Sequence, residues 1–243
     1  MIEKELDIAT ADGHMNTFIC YPDEKAPFPV CFFYMDAPGY REELRDMARR
    51  IASVGYYVVL PNLYYRRTRD YWLRERTEPA MAVMFEHMRA TTTDLIMRDT
   101  AAMLKFVDAQ PEANAKKIGA VGYCMSGPFV MGAAATFPDR IDCILSIHGA
   151  NMVTDKPDSP HLFAPKIKCE SYFACAETDK WAPPTDIAAL EKALKEAKVP
   201  YRIEWYPNSE HGFVFPQRAV FHKPSAERHW ERLFEIFGRV LQH

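Results

Sequence analysis

The stretch from Lys116 to Gly132 constrains this chain more than any other. Ile118-Gly119-Ala120-Val121 is apolar and short, as a buried strand is. Gly122 to Gly127 forms a sharp turn. Phe129 to Phe137 then reads as a helix whose small residues, Gly132, Ala133, Ala134 and Ala135, let it approach a sheet closely. A strand, a tight turn and a helix, with a nucleophilic side chain at the apex, make a nucleophile elbow. The apex backbone is strained, so its neighbours must be small. Gly122 provides one of them, two residues before Cys124. Two residues after Cys124 stands Ser126, where a second glycine is usual, and Gly127 follows. Ser126 is therefore the rival nucleophile, but position 124 would then lack the small residue that a serine elbow needs.

The chain has 243 residues, well-mixed charges and a net charge of -3, which suits one large α/β domain over residues 1–243. That charge balance gives no footing to nucleic acid or to an anionic membrane. Met1-Ile2-Glu3-Lys4-Glu5 alternates charged and apolar residues, unlike a signal or transit peptide. No apolar run approaches the length of a membrane span. Six cysteines, at 20, 31, 124, 143, 169 and 175, contain no Cys-x-x-Cys pair, and five of them read as buried thiols in a reducing cytoplasm. Neither a zinc-type Cys/His spacing nor a Gly-rich phosphate loop occurs, so no metal and no cofactor is expected.

Taken in order, Ile2–Ala9 and His14–Tyr21 alternate polar and apolar residues around Ala11-Asp12-Gly13, which predicts a hairpin at a sheet edge. Val30–Met35 is a continuous apolar run, as in a strand covered on both faces. Residues 41–54 predict an amphipathic helix closed by Gly55, and Tyr56–Leu60 the next buried strand. From Leu63 to about Pro79 the periodicity dissolves into a long loop rich in Tyr, Arg and Thr. Helices are predicted over 81–88 and 93–110. After the elbow come strands over 141–147 and 166–175, a helix over 183–198, a last strand over 201–206 and a closing helix over 223–241. This alternation implies a mostly parallel central sheet with helices on both faces. In such sheets ligands bind beyond the carboxyl ends of the strands, and Asp36, Cys124, Asp179 and His211 all fall at such ends.

The order Cys124, Asp179, His211 is the nucleophile–acid–histidine order of the α/β-hydrolase fold. With cysteine as nucleophile, the chain resembles the dienelactone hydrolase (carboxymethylenebutenolidase) family along nearly its whole length. The likeness is carried by Gly122-Tyr123-Cys124-Met125-Ser126-Gly127, by Glu177-Thr178-Asp179, and by His211-Gly212-Phe213 with Pro216 and Arg218. The resemblance implies hydrolysis of an enol-lactone or carboxylic ester through an acyl-enzyme. Cys124 attacks, His211 moves the proton and Asp179 orients the histidine. It further implies an oxyanion hole from the backbone N–H groups of Ala37 and Met125.

The family has a glutamate that contacts the thiol; here the position is Asp36, one methylene shorter. An anion beside a thiol disfavours the thiolate, so a resting thiol activated on substrate binding is expected. Family substrates carry a carboxylate held by arginines. Of Arg66, Arg67, Arg69, Arg74, Arg76 and Arg218, the resemblance favours Arg66 and Arg218, with Tyr123 beside the nucleophile as a further substrate contact. His148 reads either as lining the mouth of the site or as a satisfied histidine behind it, and Trp181 as a cover for the acid.

Two other functions fit the same residues. One is a broad carboxylesterase or thioesterase acting on neutral substrates. The other is a hydrolase-like scaffold that only binds a ligand, which would have no need of all three triad residues. The expected partner is a small-molecule lactone or ester, and the chain is expected to be a monomer or small homo-oligomer in the cytoplasm.

Overall fold

The computed structural model describes residues 1–242, which fall into two compact units, Met1–Ile118 and the described residues from Gly119 onward. In the first unit, β1 (Ile2–Thr10) and β2 (Gly13–Tyr21) form the expected antiparallel hairpin, with Ile8 opposite Met15. Gly13 turns it at a φ of 136°, a conformation that favours glycine. β2 continues antiparallel onto β4 (Tyr57–Pro61), which pairs in parallel with β3 (Phe28–Tyr34). The spatial order is β1-β2-β4-β3. Every residue of β4 is buried, which explains its unbroken apolar run.

Helix α1 (Glu42–Ala52) has Glu42 and Glu43 in its first turn and Arg49 and Arg50 in its last, matching the helix dipole at both ends. Its buried stripe is Leu44, Met47, Ala48 and Ile51. Helices α2 (Glu78–Ala90) and α3 (Thr93–Asp108) complete the unit, and the Thr92 hydroxyl caps α3 by accepting from the Leu95 N–H. The segment from Leu63 onward contains no helix or strand up to α2, as expected. It is nonetheless fastened to the residues after β3: Tyr40 N donates to the Tyr71 carbonyl and Leu73 N to the Pro38 carbonyl, at 3.2 and 2.7 Å.

The second unit opens inside β5 (Ala113–Tyr123), which is longer than its apolar run. Three strands follow in parallel, β6 (Cys143–Ile147), β7 (Glu170–Thr178) and β8 (Tyr201–Glu210), in the order β5-β6-β7-β8. Helices α4 (Gly127–Thr136), α5 (Pro184–Glu196) and α6 (Lys223–Leu241) connect or close them. Side chains three apart on a strand point to opposite faces. A side chain at Gly119 would strike Phe237 and Leu241 of α6, whereas one at Gly122 would strike Val130 of α4. Strand β5 is thus covered by a helix on each face. One element was not expected: a 3-10 segment over Pro160–Lys166, with Pro165 inside it. Its prolines and lack of apolar period gave no helical signal.

Candidate active site

Strand β5 delivers Tyr123 and then Cys124, whose φ of 56° puts a non-glycine residue in the left-handed region. A single 3-10 turn, Cys124–Ser126, leads straight into α4. The turn closes only because its neighbours are small. A β-carbon at Gly122 would collide with the Ser126 carbonyl, and one at Gly127 would lie 2.5 Å from the Gly149 Cα. Gly127 is therefore the second required glycine, and Ser126 occupies a position where a small side chain suffices. Ser126 is fully buried, while Cys124 is half-buried.

Asp179 follows β7 and His211 follows β8, both at carboxyl ends. The His211 Nδ1 lies 2.7 Å from Asp179 Oδ2 and its Nε2 lies 3.1 Å from Cys124 Sγ. Asp179 Oδ1 accepts the Trp181 N–H at 2.9 Å, and the Trp181 carbonyl accepts from Asn151. The acid is thus clamped by the loop after β6, and Trp181 acts on it through backbone. An ionised Asp179 accepts from Nδ1, which leaves Nε2 to exchange a proton with sulfur. Burial of His211 works against its charged form. The Cys124 sulfur and the hydrogen bond donated to Asp179 outweigh it and push its pKa up to about 10. A raised His211 pKa favours the charged imidazolium between the Asp179 carboxylate and the Cys124 sulfur.

The other five cysteines are buried. Burial pushes Cys20, Cys169 and Cys175 up to about 12, and Cys31 well above the ordinary thiol range.

The remaining expected residues divide. Arg218 stays in the second unit: its guanidinium lies 4.3 Å from the Phe215 ring centre and packs over Gly212, the residue after His211. Tyr123, expected at the substrate, is instead fully buried, with its hydroxyl 3.0 Å from His229 Nε2. The His229 Nδ1 donates to the Ala226 carbonyl, so Nε2 accepts and the Tyr123 hydroxyl donates. Tyr123 anchors α6 behind the nucleophile, because an elbow side chain on a strand alternates away from the apex.

In the first unit, Asp36 is fully buried and chelated by Arg41 at 2.5 and 3.2 Å, and Arg41 in turn holds Glu43 at 2.6 Å. The Ala37 carbonyl accepts the Tyr64 hydroxyl at 2.8 Å. Arg66, expected to hold a substrate carboxylate, instead divides its guanidinium between Asp99 (2.7 and 2.8 Å) and Asp12 (2.7 and 2.9 Å). Its charge is matched by protein carboxylates that lie far from it in sequence and so could not be paired with it by inspection. His148, read as a candidate satisfied histidine, is buried with neither ring nitrogen hydrogen-bonded among the described residues. No cluster of three or more His, Cys, Asp or Glu suited to a metal occurs among the described residues, and no helix there is long and apolar enough to cross a membrane.

The model of the dienelactone hydrolase family matches residues 15–241. The chain belongs to the dienelactone hydrolase family. Relatives include a carboxymethylenebutenolidase of Pseudomonas putida, 22% identical over 88% of this chain and 87% of that protein. A carboxymethylenebutenolidase homolog of Rattus norvegicus is 28% identical over 81% of this chain and 76% of its own length. Among solved structures, a dienelactone hydrolase from Anabaena variabilis superposes with a TM-score of 0.68 at 16% identity, covering 97% of each chain. A dienelactone hydrolase-like promiscuous phosphotriesterase from metagenomic libraries reaches 0.82 at 17% identity over 98% of each. The fold is accordingly that of the α/β-hydrolases, and membership of the dienelactone hydrolase family makes the chain a hydrolase.

Proposed function

We propose that the protein hydrolyses an enol-lactone or carboxylic ester through Cys124, His211 and Asp179. The observation that carries this reading is the unbroken chain Asp179 Oδ2–His211 Nδ1 and His211 Nε2–Cys124 Sγ, at 2.7 and 3.1 Å. The thiolate attacks the carbonyl carbon; a C–S bond forms and the carbonyl electrons move onto oxygen. The N–H of Met125, the residue after Cys124 in the turn into α4, is the donor assigned to that oxyanion. Collapse breaks the C–O bond, and the leaving oxygen takes its proton from His211 Nε2. Water then attacks the thioester while His211 takes a proton, and the acid product leaves with Cys124 regenerated. Asp179 keeps the proton on Nδ1 throughout and balances the imidazolium charge.

Arg218 is the residue we assign to an anionic group of the substrate, since it sits beside His211. A second reading, a broader esterase or thioesterase on neutral substrates, draws support from Arg66, whose guanidinium is already matched by Asp12 and Asp99. Hydrolysis of a dienelactone and of a neutral aryl ester, by wild type and by Cys124→Ala, tests both. Turnover of the lactone by wild type alone supports the triad, and the ratio of the two substrates separates the readings. Activity retained by Cys124→Ala would sink the mechanism.

A further inference from the structure

His148 is the polar group that the triad leaves over. It directly follows β6, is 1% exposed, and holds φ at 39°, in the left-handed region. Its backbone N–H donates to the Ala174 carbonyl at 2.8 Å, but neither Nδ1 nor Nε2 has a hydrogen-bond partner among the described residues. A buried polar group without partners destabilises the fold, and a left-handed non-glycine residue adds to that. The walls around the ring are Phe213 and Phe215, each at 5.6 Å, and Tyr123 at 6.1 Å, which a phenyl ring would satisfy equally well. The remaining ring neighbour is His211, edge-to-face at 4.9 Å and 67°.

The titratable groups facing His148 are His211 and Arg218 from the segment after β8, His229 from α6 and Tyr123 from β5; the neighbouring strand β7 meets it with the Ala174 carbonyl. The Tyr123 hydroxyl lies 3.0 Å from His229 Nε2. The groups whose positive charge bears on His148 are His211, Arg218 and His229. With no hydrogen bond to fix its tautomer, either His148 nitrogen can carry the proton, and the tautomer that keeps the proton away from nearby positive charge is the favoured one. Burial, then the charges of His211, Arg218 and His229, hold the His148 pKa well below the ordinary histidine value, so the ring stays neutral.

We infer that His148 is a positioning residue: its neutral imidazole dipole solvates the His211 imidazolium that forms when the Cys124 proton moves to Nε2. This rests on the triad reading above. His148 gives up and takes up no proton; it supplies a fixed dipole where water is excluded, which lowers the free energy of the charged pair. The unsatisfied nitrogens then have a reason, since they stabilise the charged state at the expense of the fold.

The experiment follows iodoacetamide alkylation of Cys124 against pH, together with kcat and KM for an aryl ester. It compares wild type, His148→Phe and His148→Asn. Phe keeps the aromatic wall without the dipole. Asn accepts the left-handed backbone but is too short to bring a dipole against the His211 ring. Wild type should show an alkylation midpoint below the ordinary thiol value of about 8.5. In both variants the midpoint should rise by about one pH unit and kcat fall roughly tenfold with KM little changed, while His148→Phe melts no lower than wild type. If wild type shows the low midpoint and both variants keep it, the inference on His148 is overturned and the triad stands. If wild type shows no depressed midpoint, there is no resting ion pair for His148 to stabilise and this inference is overturned, while turnover by Cys124→Ala decides the triad separately. Should His148→Phe not fold, His148→Asn decides alone by the same midpoint.

Discussion

Two buried carboxylates, Asp179 and Asp99, each hold a cationic partner, and the difference between them separates chemistry from architecture. Around Asp99 every bond closes on the protein: Arg66 reaches both its oxygens, Tyr65 donates to it at 2.8 Å, and Arg66 is matched again by Asp12. The Tyr65 hydroxyl also meets Thr10. Such a network ties a strand, a loop and a helix of the first unit together and has nothing left to offer a ligand. Around Asp179 the chain of bonds runs one way, through His211, and ends on the sulfur of a half-buried, backbone-strained cysteine. A polar network that ends on a nucleophile can transfer a proton. One that ends on itself can only hold the fold.

The comparison breaks most sharply at the nucleophile. Cys124→Ala is expected to lower kcat/KM roughly 10⁴-fold or more while leaving the melting temperature close to wild type. Steady-state kinetics beside thermal unfolding measures this, and a large loss of stability with modest loss of activity would reverse the roles assigned to the two networks. Asp99→Ala should do the opposite. It strips Arg66 and Tyr65 of a buried acceptor, so unfolding free energy should fall by about 3 kcal/mol, with the activity of the folded fraction unchanged. Denaturant titration at matched activity checks it.

Gly122→Ala sharpens the case for strain at the elbow. The added carbon meets the Ser126 carbonyl, so a cost of about 1–3 kcal/mol is expected, with loss of kcat because Cys124 must shift.

Acidity gives a subtler contrast. His211 has its pKa raised from 6.5 to about 10. A base raised on folding contributes stability in full below pH 6.5 and loses that contribution as pH climbs through about 10. The stability of wild type over His211→Asn should therefore shrink across that window in pH-resolved denaturation, and a difference that grows with pH would contradict the ion pair. In the same window, iodoacetamide should label Cys124 ahead of Cys20, Cys169 and Cys175, which stay protonated to about pH 12. Mass spectrometry of the modified peptides reads this out.

The smallest effect belongs to Arg218→Ala. KM for an anionic ester should rise about tenfold, and KM for a neutral ester should barely change, since one charge-assisted hydrogen bond is worth about 1.5–3 kcal/mol. Equal effects on both substrates would remove Arg218 from the substrate site.

Most of the architecture could be read from local pattern. The unbroken apolar runs at Val30–Met35 and Tyr56–Leu60 became β3 and β4, and the polar-apolar alternation before and after Gly13 became the β1–β2 hairpin. Ends of elements were less legible. Strand β8 runs on to Glu210 through Pro207 and Asn208, and β5 begins at Ala113, well before its apolar part. Polar strand ends carry no periodic signal, because only pairing with a neighbour makes them strand. The segment over Pro160–Lys166 is illegible for another reason: its prolines and its lack of an apolar period give no helical signal.

At the site, what the sequence alone determined is chemistry at particular positions. Gly122 and Gly127 around Cys124 specify a turn that only small residues close, and an aspartate and a histidine stand after the later strands in the right order. Those are local statements, because backbone strain and strand ends depend on near neighbours. Tertiary structure alone decided the partners. It turned Tyr123 inward to His229, matched Arg66 with Asp12 and Asp99, left Arg218 over Gly212, and set His148 edge-on to His211 with its nitrogens unpaired. Whether a charged or polar side chain serves a substrate or the fold depends on which distant group neutralises it, and distance along the chain carries no record of that.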